Sequence, residues 1–249
     1  MCIRDSLFQH IKKTIEKQFD TYTSELYELA SRLDQLKRPV IIYIGGAPGT
    51  GKSMLATSLA TRLGINKVIS TDSIREIMRL AFSNDLLPTL FHSTTEAWKG
   101  LPMEFQSSEQ LIAGYCLQAN QVSLGVRAVV ERTVEEGENL IVEGAHLVPF
   151  LHEIAKKEMV DAYHIPITLS IMNEKHHRER FSERGTKNLR KIENFYLERF
   201  DGIRSIHEYT LTQCETDEVE VFDNEDLDET LNLIIQFSIQ RLFKQVNSE

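Results

Sequence analysis

Cysteine is scarce. Only Cys2, Cys116 and Cys214 occur in 249 residues, an odd number, far apart and never as CxxC. That argues against a disulfide framework or a Cys-ligated zinc site and fits a chain kept in a reducing cytoplasm. Long apolar runs are missing too: no stretch approaches the ~18 residues of a membrane span. Ile11-Lys12-Lys13 also interrupts any secretory core near the start. Positive charge is in deficit, with 28 Lys+Arg against 37 Asp+Glu leaving −9. General binding to nucleic acid needs a basic surface, so this balance disfavours it. What remains is ordinary for a globular protein: 41% hydrophobic and 26% charged residues exclude wholesale disorder. At roughly 150 residues per domain, the length allows one large domain or two small ones.

Residues 1–6 share no pattern with the rest of the chain and read as a non-native leader. Apolar residues then recur at Leu7, Ile11, Ile15, Phe19, Tyr22, Leu26, Leu29, Leu33 and Leu36, in steps of three and four. This is a helical row over 7–38, close to a heptad seam. Two arrangements fit it: a helix packed along the domain, or a coiled coil that joins two copies as a homodimer. Pro39 ends the row, and the continuous apolar run 40–44 suits a strand covered on both faces of a parallel sheet. Strands and helices alternate from there. A helix over 54–63 is stopped by Gly64, and further strands fall at 68–70, 140–142, 167–171 and 219–222. A mostly helical stretch covers 74–137, and a last helix starts near Asp226. The alternation predicts a three-layer α/β fold around a five-stranded parallel sheet. Residues 39–249 then form one domain, with a helical insertion over about 73–137 and a lid over about 175–191.

Directly after the first strand stands Gly46-Ala47-Pro48-Gly49-Thr50-Gly51-Lys52-Ser53, a complete GxxxxGK[ST]. Backbone N–H groups of such a loop, at the start of the next helix, cradle the phosphates of a nucleotide. Gly46 through Met54 is therefore the expected ATP site of a P-loop NTPase. Lys52 reaches the β- and γ-phosphates there, and Ser53 ligates Mg²⁺. The base-reading NKxD of GTPases is not matched, because Asn66-Lys67-Val68-Ile69 lacks the Asp. A short P-loop core with a helical insertion after the second strand points to a small-molecule kinase.

The second strand runs into Thr71-Asp72-Ser73-Ile74-Arg75, at the sheet edge where α/β proteins bind ligands. Asp72 can take the proton of an acceptor hydroxyl, while Arg75, and Arg79 one turn on, can hold an anionic group. Alternatively Asp72 or Ser73 only caps the helix, since Ser73-x-x-Glu76 is a capping box. Residues 140–143 have the form of a Walker B strand ending in Glu143, which orients Mg²⁺ through water or positions the acceptor. His146 either touches substrate or packs its loop. From 175 to 191, seven Lys/Arg stand against Glu179 and Glu183, +5 in a chain of −9. A lid closing on the transferred phosphoryl group needs such cations, with Arg180 and Arg184 favoured; a solvated helix is the alternative. His176-His177 is a poor metal pair, because adjacent helical residues face different ways.

These motifs resemble the 2-phosphoglycerate kinases. The likeness rests on residues 42–46 with the phosphate loop, on 68–79, and on Leu86-Leu87-Pro88-Thr89-Leu90 followed by Ala97-Trp98. It continues in Gln121-Val122 with 128–132, in 142–149 and in 200–206, and so runs from Val40 to Leu233. The helix over 7–37 and the pair Ala47-Pro48 depart from the family pattern. The resemblance implies transfer of the γ-phosphoryl group of ATP to the 3-hydroxyl of 2-phosphoglycerate, giving 2,3-bisphosphoglycerate. Arg75, Arg79 and the lid arginines are then anchors for the carboxylate and phosphate of this small phosphorylated acid. Two other functions stay open. One is phosphotransfer to another hydroxyl, as in zeta-toxin-like and polynucleotide kinases. The other is a nucleotide-dependent switch whose N-terminal helix recruits a partner.

Overall fold

The computed structural model describes residues 33, 36–102, 107–151, 153, 161–183 and 190–247. Five strands build one sheet: β1 (Val40–Gly45), β2 (Lys67–Ser70), β3 (Leu140–Glu143), β4 (Tyr163–Ser170) and β5 (Glu220–Asp223). All neighbours are parallel and the order is β2-β3-β1-β4-β5. Parallel pairing forces a crossover after each strand, and helices supply it. They are α1 (Lys52–Leu63), α2 (Thr71–Ala81), α3 (Ser107–Glu135), α4 (Glu174–Glu183), α5 (Arg190–Glu198), α6 (Phe200–Asp217) and α7 (Leu227–Val246).

Every residue of β1 is buried, and successive side chains serve opposite layers. Val40, Ile42 and Ile44 join Leu55 and Leu59 of α1 and Leu231, Ile234 and Leu242 of α7. Ile41 and Tyr43 join Ile74 of α2, Val122, Val126 and Val130 of α3, and Cys214 of α6. The result is the three-layer α/β arrangement with a five-stranded parallel sheet. Among the described residues, no helix is long and apolar enough to cross a membrane. Residues 1–6, expected to be a leader, and most of the row 7–38 lie outside the described residues. Leu33 is buried in the α1/α7 core and Leu36 packs against it.

The main boundary difference from the sequence reading is in β4. β4 begins at Tyr163 rather than 167, because Pro166 made the first half look unlike a strand. Pro166 pairs with Tyr43 on one side, and on the other β5 starts pairing only at Ile167. Within the insertion, 3-10 helices Pro88–Phe91 and Thr94–Gly100 precede α3 and pack on it.

At the end of β3 the N–H of Gly144 donates to Ile44 O at 3.0 Å, extending the ladder by one residue. Its φ of 152° and the Thr71 side chain lying against it leave no room for a Cβ. Gly144→Ala should therefore lower stability by about 2 to 4 kcal/mol in urea unfolding. Gly64→Ala, in open space at the end of α1, should cost only about 1 kcal/mol.

Candidate active site

Because the strands all run one way, β1, β2 and β3 end at a common edge. Ile44 and Ser70 both stand opposite Glu143 in register. A cleft of about 320 Å³ opens there, lined by Lys52, Ser53, Asp72, Arg75 and Glu143. Residues 93–95 of the insertion and Phe195 and Tyr196 of α5 form further walls.

The loop between β1 and α1 folds around its own carbonyls. Lys52 Nζ donates to Ala47 O at 2.8 Å, and Thr50 Oγ1 donates to the same oxygen at 3.0 Å. From the end of β5, Asn224 Nδ2 donates to Thr50 O at 2.8 Å. Ser53 Oγ donates to Glu143 Oε1 at 2.9 Å. Hydroxyl and carboxylate side by side are the hard oxygen donors that a small divalent cation takes.

Capping of α2 is done by Ser70, whose Oγ accepts from Ser73 N at 3.1 Å. Asp72 is thereby left out of the cap, its side chain 67% exposed on the cleft, with Arg75 Nε 3.6 Å away. Arg75 also donates to Leu90 O at 2.8 Å and to Glu76 at 2.8 Å, so it ties α2 to the insertion while lining the cleft.

Arg79 is not brought to the cleft. Its guanidinium binds Glu76 at 2.8 and 2.9 Å and lies over the Phe91 ring, 5.2 Å from the centroid. Glu76, one turn back, captures it. His146 must likewise be corrected as a substrate contact, because it is buried with both ring nitrogens in use. Nδ1 is 2.8 Å from Thr71 Oγ1 and Nε2 is 3.1 Å from Gln118 Oε1. The Gln118 amide donates to Thr89 O and His92 O, so its oxygen accepts and the network assigns the ring proton to Nε2. Burial lowers the His146 pKa to about 4, which keeps the ring neutral at pH 7. Arg180 donates to the carbonyls of Asn224 and Glu225, bracing the β5–α7 turn beside the phosphate loop rather than lining the cleft. Arg184 lies outside the described residues.

Sequence reasoning missed residues 93–95, Phe195, Tyr196 and Asn224. No spacing rule marks them, since they meet only through the fold. The two missed walls are joined by an ion pair 103 positions apart in the chain: Arg199 Nη2 lies 3.0 Å from Glu96 Oε1. Glu96 also accepts from Lys99 at 2.6 Å and from Ser93 at 3.2 Å. Arg199 in turn lies 3.8 Å over the Phe195 ring.

Known proteins share much of this sequence and its fold. Residues 42–201 match the family described as an AAA domain. A 2-phosphoglycerate kinase of Methanopyrus kandleri is 37% identical over 243 residues, spanning 96% of this chain and 72% of that protein. One of Pyrococcus furiosus is 39% identical over 235 residues, spanning 94% and 74%. A gluconokinase from Sinorhizobium meliloti 1021 of known structure aligns with a TM-score of 0.50 at 14% identity, covering 85% of this chain and 98% of that one. That likeness is one of fold.

The wall-to-wall ion pair generates a pH prediction. The hydrogen bond from Arg199 holds the Glu96 carboxyl down at about 2, against an ordinary 4.5. Its contribution to stability is present above pH 4.5 and is lost as pH falls toward 2. Glu96→Gln should melt below the parent at pH 7, and the gap should close across that window in thermal melts at stepped pH.

Proposed function

Because the chain belongs to the 2-phosphoglycerate kinase family, we propose that its acceptor is 2-phosphoglycerate, converted to 2,3-bisphosphoglycerate with Asp72 as the base. The family makes the chain an ATP-dependent phosphotransferase with an alcohol acceptor. The observation that carries the acceptor reading is that Lys52 and Ser53 line the same cleft as Asp72 and Arg75.

In this reading the loop N–H groups and Lys52 hold the phosphates of ATP. Arg75 and the hydroxyls of residues 93–95 receive the carboxylate and phosphate of the acceptor. Asp72 takes the proton of the 3-hydroxyl as its oxygen bonds the γ-phosphorus, and the bond to the β-phosphate oxygen breaks to release ADP. Ser53 and Glu143 would hold Mg²⁺, which when bound offsets charge on the β- and γ-phosphate oxygens. Phe195 and Tyr196 wall the cleft against water. The basic segment 175–191 serves as the lid, with Arg184 as its candidate phosphate contact, while Arg180 braces the β5–α7 turn beside the phosphate loop. Homodimer contact through residues 7–38 and a cytoplasmic location belong to the same proposal.

Asp72→Asn should lower kcat by roughly 10²–10⁴-fold while ATP still binds; unchanged turnover would remove Asp72 from the chemistry. A screen of ATP with phosphoglycerates, nucleotide sugars and oligonucleotide ends, read by product mass, should give a bisphosphoglycerate. A product from the sugars or the oligonucleotides instead would overturn the acceptor.

A further inference from the structure

The reaction above uses neither histidine of the pair 176–177, yet His177 is completely buried beneath the phosphate loop. Its Nε2 lies 2.8 Å from Pro48 O, and its Nδ1 lies 3.4 Å from Arg204 Nη1. A guanidinium only donates, so Nδ1 accepts and the ring proton sits on Nε2, donating to Pro48. Burial, before any other cause, lowers the pKa of this imidazole to about 4. Phe181 and Phe200 pack on the ring with centroids 5.6 and 5.5 Å away.

Pro48 is the second residue of a four-residue turn. Thr50 N donates to Ala47 O at 3.4 Å, and Gly49 has φ 86°. Proline second and glycine third with φ near +80° mark a type II turn, which differs from type I by rotation of the middle peptide. Proline accepts either form. In a planar trans peptide the carbonyl and the following N–H point opposite ways. A Pro48 carbonyl held toward α4 therefore turns the Gly49 N–H away from α4. Both residues line the cleft, where successive backbone N–H groups make the concavity that accepts a phosphate.

We propose that His177 is a positioning residue for the nucleotide: its Nε2–H holds the middle peptide of the turn so that Gly49 N–H is presented to the phosphates, and Arg204 sets the tautomer that makes this donor. The inference rests on ATP being bound at the loop and is independent of which acceptor is phosphorylated.

The test is calorimetric affinity for ATP without any acceptor, with melting temperatures measured alongside. H177F keeps the ring packing and loses the donor, so its Kd should rise about 10- to 100-fold. H177Q, whose amide nitrogen reaches the place of Nε2, should stay within about threefold at a similar melting temperature. R204M, which frees the tautomer and also removes the donor to Ile171 O at 2.9 Å, should lower the melting temperature and weaken ATP binding further than that loss of folded protein accounts for, and it replaces H177F if that variant does not fold. Wild-type affinity in H177F or R204M, or equal losses in H177F and H177Q, would overturn the proposal. A parent chain that binds ATP but leaves 2-phosphoglycerate unphosphorylated would refute the acceptor and not the role of His177.

Discussion

The Ser53 hydroxyl meets the Glu143 carboxylate across 2.9 Å, and that contact depends on strand order. β3 lies between β1 and β2, so the acid that closes it faces both the loop after β1 and the helix after β2. Register is equally binding. A one-residue slip of β3 would send Glu143 to the opposite face of the sheet. The bond from Gly144 N to Ile44 O and the close seat of Gly144 on Thr71 pin that register. The same constraint fixes where α2 starts, and with it where Asp72 projects.

Around this edge the polar groups are tied rather than left to solvent. Thr71, His146, Gln118 and the carbonyls of Thr89 and His92 form one buried chain of hydrogen bonds. Buried polar groups carry a desolvation cost unless paired, so a satisfied chain of this kind has a narrow set of geometries. It links the first turn of α2 to the insertion, which Arg75 also grips through Leu90 O. The insertion is linked to α5 and α6 through Glu96 and Arg199. Three segments distant in sequence are thereby held around one cleft.

Much of this was readable from the chain before folding, and the reasons are local. The apolar runs of β1 and β3 are continuous because both faces are covered, and the phosphate loop is a contiguous motif. The place of Asp72 on the cleft, in the first turn of α2, was legible because a parallel sheet always presents the edge where β2 ends. The failures were just as physical. Pro166 disguised half of β4. Arg79 has the right spacing from Arg75, yet Glu76 offers it a nearer partner. His146 stayed open between substrate contact and loop packing because the sequence does not reveal that Thr71 and Gln118 occupy both its nitrogens. The walls at 93–95 and 195–196 carry no motif, since their neighbourhood is created by contacts between remote segments.

A crystal structure with a non-hydrolysable ATP analogue and 2-phosphoglycerate together tests the central claim most directly. The account predicts the γ-phosphate seated on Lys52 and the acceptor 3-hydroxyl oxygen within about 2.6–3.2 Å of an Asp72 carboxylate oxygen, in line with the γ-phosphorus. An acceptor bound elsewhere, with Asp72 turned onto Arg75 and remote from any hydroxyl, would contradict it.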